Sequence, residues 1–302
     1  MAVRKKSKIK ASMGERIFGV FDNLLIFFIM IIMAYPIWHI LMASFSDSSE
    51  LIKNTGVLLL PRGFSTKAYQ LMAKNPNILT GYMNTLFIVL TSVTLNIIFT
   101  SVGAYFLSRK RVMWQKPIMV LIIFSMYFSG GLIPSYLLIA KTLHLNNSYW
   151  AIILPSLVST YNLVVMRTSF ASIPDSLEEA ARIDGAGHIT ILVKIILPLS
   201  MPIISVMILY YGVAHWNAWF PASIYLKDRS KYPLQLILRE ILIANNTSSM
   251  ANAGAADIGD ALSVSESVKY AVIVTATFPI LCVYPFLQKY FVKGVMIGAV
   301  KG

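Results

Sequence analysis

Cysteine and acidic residues are scarce in this 302-residue chain, which has one cysteine and 13 Asp/Glu against 26 Lys/Arg. A single cysteine, Cys282, excludes an intramolecular disulfide and any cysteine-based metal site. Its default role is that of a small apolar packing residue. The four histidines, His39, His144, His188 and His215, show no metal-ligand spacing, and no serine or cysteine sits in a nucleophile motif. Neither a metal centre nor a catalytic site is therefore expected. The chain also lacks a G-x-x-x-x-G-K-[ST] loop to cradle a nucleotide, so no cofactor is expected on it. Charged residues make up only 13%, where a soluble protein carries roughly a quarter.

What the chain has in quantity is apolar sequence, 57% of all residues. Runs free of Asp, Glu, Lys and Arg cover 23–46, 75–108, 117–140, 142–166, 195–226 and 270–288. Each holds the roughly 20 apolar residues that cross a bilayer, so the pattern predicts an all-α membrane protein with six transmembrane helices. Polar Asn146 and Asn147 move the start of the fourth span to near Tyr149. The first apolar run is too long for a cleavable secretory signal and is expected to stay as an anchor.

The net charge of +13 raises the question of nucleic acid. The basic residues, however, stand beside the spans, where they set topology. With the N-terminus inside, most of the 26 Lys/Arg fall on cytoplasmic segments, so both termini are predicted to be cytoplasmic and no nucleic-acid partner is expected. Three parts follow: a basic arm at 1–16, suited to anionic lipid headgroups, a membrane domain at 17–292, and a glycine-rich tail at 293–302. Two long outside loops, 47–80 and 227–268, interrupt the membrane domain. The first carries an amphipathic patch with Phe64, Tyr69 and Leu71, and the second is Ala/Asn/Ser/Gly-rich through Ala261. In the third span Ser129-Gly130-Gly131 and Pro134 predict a kink.

The loop 171–198, between the fourth and fifth spans, is polar and capable of forming a helix. Ser176 followed by Glu179 is a capping-box pattern, with Asp175 as a second possible N-cap. Glu178 and Glu179 suit the positive end of the helix dipole. Gly185 can take the left-handed conformation that stops a helix, leaving about two turns. Ala180 and Ala181 add little bulk, so this helix can approach another surface closely. Glu178, Glu179 and Asp184 can pair with basic groups on that surface. This is the pattern of a docking element.

The same residues are similar to the cytoplasmic EAA signature of binding-protein-dependent ABC importers: E-A-A, three residues, G, nine residues, I, one residue, L-P. Glu179, Ala180, Ala181, Gly185, Ile195, Leu197 and Pro198 meet every fixed position. Ile183-Asp184-Gly185-Ala186 resembles the carbohydrate-importer subclass. The ending, from Lys293-Gly294 to Gly298-Ala299-Val300-Lys301-Gly302, resembles the maltose permease subunit MalG. Tyr127 to Pro134 looks like the LplC/YtcP-type branch, permeases associated with complex oligosaccharides.

The resemblance implies a type I importer permease of MetI-like architecture in the bacterial cell membrane. It would pair with a second, non-identical permease and stand on two ATPase subunits that bind ATP and Mg. An extracellular solute-binding lipoprotein would deliver an oligosaccharide. The EAA helix would be the coupling helix, with Ser176, Glu178, Glu179, Ala180, Ala181, Asp184 and Gly185 in or beside the docking contact and Glu179 opposite a basic ATPase residue. Lys301 would reach the ATPase dimer.

The substrate path is less marked. Tyr210, Tyr211, His215, Trp216, Asn217 and Trp219 place aromatic faces and amide groups at the outer end of the fifth run. Such groups stack on and hydrogen-bond to sugars, and they equally suit interfacial anchoring. Relatives often carry an acidic residue after the Trp-Asn pair, where Ala218 and Trp219 stand here. The candidates are Tyr211, His215, Trp216 and Asn217. His39, with Tyr35 and Trp38 nearby, could also line the path, but a lone histidine is more often a hydrogen-bonded packing residue, and it is left out of the candidates. The rival class, an ion-coupled secondary transporter, usually needs intramembrane acids or bases, and the six runs contain none.

Overall fold

The computed structural model describes residues 12–53, 56–109, 112–251, 266–283 and 285. Most of the basic arm, the tail with Lys301 and much of the second outside loop lie outside the described residues.

The described chain is helical, with one isolated β-bridge between Ser46 and Phe64. In chain order the helices are α1 Met13–Ser44, α2 Ser48–Lys53, α3 Lys67–Lys74, α4 Pro76–Ser108 and α5 Gln115–Tyr127. Then come α6 Leu132–Thr142, α7 Trp150–Ser156, α8 Thr160–Ala171, α9 Asp175–Ile183, α10 His188–Leu199 and α11 Met201–Trp216. The last are α12 Phe220–Tyr225, α13 Leu234–Ala251 and α14 Glu266–Val283.

Three of these, α1, α4 and α14, are each long and apolar enough to cross a membrane. Three bent pairs pass the same test together: α5 with α6 at 112°, α7 with α8 at 46°, and α10 with α11 at 86°. The breaks have local causes. Gly131 sits at φ +83° between α5 and α6, where the glycine pair predicts a kink. Pro198 and Pro202 flank the turn at Ser200 between α10 and α11, where proline removes backbone donors and clashes with the preceding turn.

The expected fifth span is shorter than its uncharged run. Helix α11 ends at Trp216, Asn217 caps it, and α12 begins anew with Pro221 in its first turn. Asn217 and Trp219 therefore stand beyond the helix.

The chain divides into two compact units, Met1–Leu71 with Thr247–Val274, and Met72–Asn246 with Thr275–Gly302. In the first, α1 opens with the capping box that Ser12 and Glu15 form reciprocally. At its far end the following loop folds back: the Asp47 N–H donates to the Arg62 and Gly63 carbonyls, and the Tyr69 hydroxyl donates to Ser44 at 2.8 Å. Of the expected amphipathic patch, Tyr69 turns inward against Phe45 while Phe64 stays exposed.

The second unit is built on α4. Asn75 caps its start and Pro76 occupies the first turn, the position where a missing N–H costs nothing. The buried residues Ile78, Gly81, Thr85, Ile88, Ser92, Asn96 and Thr100 follow one another at spacings of three and four, which is one face of a helix. That face is mostly small or polar, whereas Leu79, Met83, Phe87 and Leu90 are exposed. The arrangement suits a lipid solvent, in which helices associate through close packing and interhelical hydrogen bonds. Toward the end of α4, Ala104, Leu107, Leu163, Met166, Phe170, Ile191 and Ile196 form one buried cluster. It clamps α8 and α10 against α4, and α9 is suspended between those two helices.

Candidate functional site

Helix α9 is the predicted docking element, and it starts differently from the capping-box expectation. Its N-cap is Pro174, with no side-chain cap. Asp175 and Ser176 are already helical, so neither caps, and the Ser176–Glu179 box does not form. Pro174 explains this: its extended backbone, ψ 133°, already sets the entry angle. Asp175 and Glu178 still place negative charge in the first turn, where the dipole favours it.

The helix stops as predicted. The Gly185 N–H donates to the Arg182 carbonyl and the Ala186 N–H to that of Ala181, with Gly185 at φ +83°. This bonding is a Schellman motif, which needs the left-handed conformation at the glycine position. Ala181 and Ala186 both pack on the buried cluster, giving the stop its apolar contact.

Glu178 corrects a second expectation, because it points inward instead of toward a partner. It is 6% exposed. Its carboxylate accepts from Arg109 Nη1 at 2.9 Å, from Arg182 Nη2 at 2.7 Å and from the Tyr105 hydroxyl at 3.2 Å. Arg109, 8% exposed, also donates to the Phe170 carbonyl and to the Ser108 hydroxyl. The Tyr105 hydroxyl lies 3.2 Å from His188 Nδ1. Burial pushes the Glu178 carboxyl up, but the Arg182 hydrogen bond, the Arg109 charge and the Tyr105 hydroxyl outweigh it, and the net shift is downward. A buried carboxylate is tolerable only when paired in this way.

The outward surface belongs to other residues. Ser176, Glu179, Ala180, Asp184 and Gly185 are exposed. Ile183 and Ile189, 87% and 80% exposed, flank the glycine stop. Arg109, Tyr105 and Ile189 are not among the residues that the sequence singles out, and Ile183 figures there only in the family signature. The Glu178–Arg182 spacing of four was the one legible sign of an internal pair.

A second site lies where α7, α8 and α11 meet. A cavity of about 270 Å³ is lined by Ile152, Ser156, Val158, Ser159, Asn162, Tyr210, Tyr211, Ala214, His215, Ala218 and Pro221. Two of the four predicted path residues, Tyr211 and His215, are among them. The Tyr211 hydroxyl bonds to that of Thr100 and accepts from the Ser159 N–H. His215 Nε2 lies 3.0 Å from Asn96 Oδ1. Trp216 is buried elsewhere, donating to the Ala276 carbonyl beside the Tyr82 ring. Exposed Asn217 closes the end of α11. In the first unit His39 bonds to Tyr35 and, with Glu266 and Tyr270, lines a separate cavity of about 370 Å³.

The family model described as "binding-protein-dependent transport system inner membrane component" matches residues 11–297. The chain is 39% identical over 287 residues to the polygalacturonan/rhamnogalacturonan transport system permease protein YtcP of Bacillus subtilis, covering 94% of this chain and 99% of that one. It is 38% identical over 292 residues to protein LplC of the same organism, covering 95% and 96%. A solved structure of a bacterial ABC transporter involved in the import of the acidic polysaccharide alginate superposes with a TM-score of 0.81 at 32% identity, over 93% of this chain and 99% of that one. The chain therefore belongs to the binding-protein-dependent transport system inner membrane components, the permease family of ABC transporters.

Proposed function

We propose that this permease imports oligosaccharides derived from acidic polysaccharides, and that α9 is the helix through which ATP hydrolysis on separate subunits drives it. The carbohydrate reading is supported by the names of its relatives, which include polygalacturonan/rhamnogalacturonan and arabinooligosaccharide transport permeases, and by the alginate importer. The partners in this reading are a second, non-identical permease, two ATPase subunits carrying ATP and Mg, and an extracellular solute-binding lipoprotein. Each of the three long helices and three bent pairs is one span. Both termini are cytoplasmic, and the tail with Lys301 extends to the ATPases.

The observation that carries the coupling role is the two-sidedness of α9. Its inner side is fixed by Glu178 and the Schellman stop, while Glu179, Ile183 and Asp184 face outward. An element anchored on one side and exposed on the other transmits force between bodies. In alternating access, closure of the ATPase dimer moves α9, and α9 moves the spans to which it is tied. Tyr211 and His215 lie on the sugar path.

The test uses the complete transporter in proteoliposomes with its binding protein, and labelled oligogalacturonate as the probe. In Gly185→Val the left-handed backbone is strained by about 1–3 kcal/mol, with no clash at the new Cβ. Uptake is expected to fall at least tenfold while the complex still assembles. Unchanged ATP-driven uptake would overturn the coupling assignment.

A further inference from the structure

The cavity between α7, α8 and α11 contains polar groups that the fold leaves unused. Asn96 spends its amide N–H groups on the Ser156 and Leu157 carbonyls, which the break between α7 and α8 would otherwise leave unpaired. Its Oδ1 is therefore an acceptor, and His215 Nε2, 3.0 Å away, is the donor. Neutral His215 then presents Nδ1 as an acceptor, and that atom has no hydrogen bond among the described residues. Tyr211 is fully engaged with Thr100 and Ser159.

Asn162 differs from these. It is only 5% exposed and lines the cavity, yet its carboxamide has no hydrogen-bond partner among the described residues. Its carboxamide atoms are not sealed off from solvent, so they open into the cavity, where whatever fills it completes their hydrogen bonds. Tyr210 adds an aromatic ring at 42% exposure, 6.4 Å from the ring of Tyr161. Among the described residues, no Lys, Arg, Asp or Glu lines the cavity.

We infer that this cavity is a sugar subsite that reads the neutral, hydroxyl-bearing face of a pyranose ring. A carboxamide offers both a donor and an acceptor, matching a pair of neighbouring hydroxyls. His215 Nδ1 accepts from a further hydroxyl, and the Tyr210 ring meets the C–H face of the sugar. A uronate carboxylate inside the cavity would be an unpaired buried anion. The carboxylate of an acidic sugar therefore points to the open side, and acidity is recognised elsewhere in the transporter. This subsite rests on the carbohydrate reading above and assigns that reading a residue-level contact in this subunit.

The experiment measures ATP-driven uptake by the complete transporter in proteoliposomes, with trigalacturonate and with a neutral galactotriose as probes. Asn162→Leu, close in size but without the amide, is expected to raise the uptake KM at least tenfold for whichever probes are moved. Asn162→Gln is expected to recover part of the loss, which a purely structural role would not predict. Should Asn162→Leu fail to co-purify with its partner subunits, Tyr210→Leu, at a half-exposed position, takes its place with the same expected rise.

An unchanged KM in an assembled variant, with the unsubstituted transporter still moving sugar, overturns the subsite and leaves the carbohydrate reading standing. A loss confined to trigalacturonate overturns the neutral-face assignment. Failure of the unsubstituted transporter to move any sugar overturns the carbohydrate reading itself.

Discussion

The anchoring of α9 by Arg109 and Glu178 makes a quantitative demand. Arg109→Met removes the 2.9 Å ion pair, leaving Glu178 Oε2 without its donor and the Phe170 carbonyl with one donor fewer. The partners are 8% and 9% exposed at the side chain, so solvent cannot replace what is lost. Breaking a buried pair from one side costs about 3–5 kcal/mol. Arg182, half exposed, offsets little of that, because surface pairs contribute roughly 0–1 kcal/mol. Glu178→Met is expected to be comparably costly, since it strands a buried guanidinium. The double variant, with neither charge left uncompensated, should be milder than the sum by at least about 1.5 kcal/mol.

Amide hydrogen exchange of segment 175–183 in the assembled transporter is the direct readout. At about 1.4 kcal/mol per tenfold, a 3 kcal/mol loss of local stability accelerates exchange in α9 roughly a hundredfold. Glu178 has a lowered pKa, so its contribution is complete above its ordinary value of 4.5. It is lost as pH falls through the lower folded value. Protection attributable to this pair is thus constant through neutral pH and declines only in acid. Strictly additive single variants would refute the pairing. Loss of ATPase association in Glu178→Met, but not in Arg109→Met, would show that Glu178 serves the partner after all.

Two further substitutions separate packing from path. A Cβ at Gly81 would lie 2.6 Å from Ile237 Cδ1 and 3.1 Å from the Leu234 backbone, so Gly81→Ala forces α13 away from α4. A destabilisation of about 1–3 kcal/mol is expected as a lowered Tm of the purified transporter, and an unchanged Tm would contradict that close approach. Trp216→Phe keeps a ring beside Tyr82 but loses the bond to the Ala276 carbonyl. It should cost about 1 kcal/mol and leave the uptake KM unchanged, whereas a raised KM would place Trp216 on the substrate path.

The apolar runs and the glycine stop were legible because both express local rules. A run of sufficient length and composition, or a glycine three residues after a helical Arg182, carries its consequence in the neighbouring residues. The start of α9 was misread for a related reason: Ser176 and Glu179 satisfy the capping-box spacing, but Pro174 had already set the helix entry. The direction of Glu178 was illegible because Arg109 lies 69 residues earlier in the chain. Of two adjacent glutamates, nothing local says which one turns inward. The same holds for the aromatic cluster at the end of α11, where Tyr211 and His215 reach the cavity while Trp216, one residue on, packs toward Ala276. Helical rotation separates neighbours by about 100°, so only residues three or four apart in such a cluster share a face.

Helix α4 connects the two networks. Asn96 and Thr100 serve the cavity, and Tyr105 and Arg109, at its end, serve α9. Asn96 and Arg109 are 13 residues apart, about 20 Å along a helix rising 1.5 Å per residue. No proline or break interrupts α4 between them. In each network the α4 side chain satisfies groups that another element would otherwise leave unpaired: the freed carbonyls between α7 and α8 in one, Oε2 of the buried Glu178 in the other. Neither set can part from α4 without exposing unpaired polar groups to an apolar interior, where that is expensive. A displacement of α9 that keeps its ion pair must therefore carry the end of α4 with it. A displacement of α4 that keeps Asn96 bonded must carry the break between α7 and α8. The bent pairs supply the places where the chain can yield, and the straight helix between them supplies the connection.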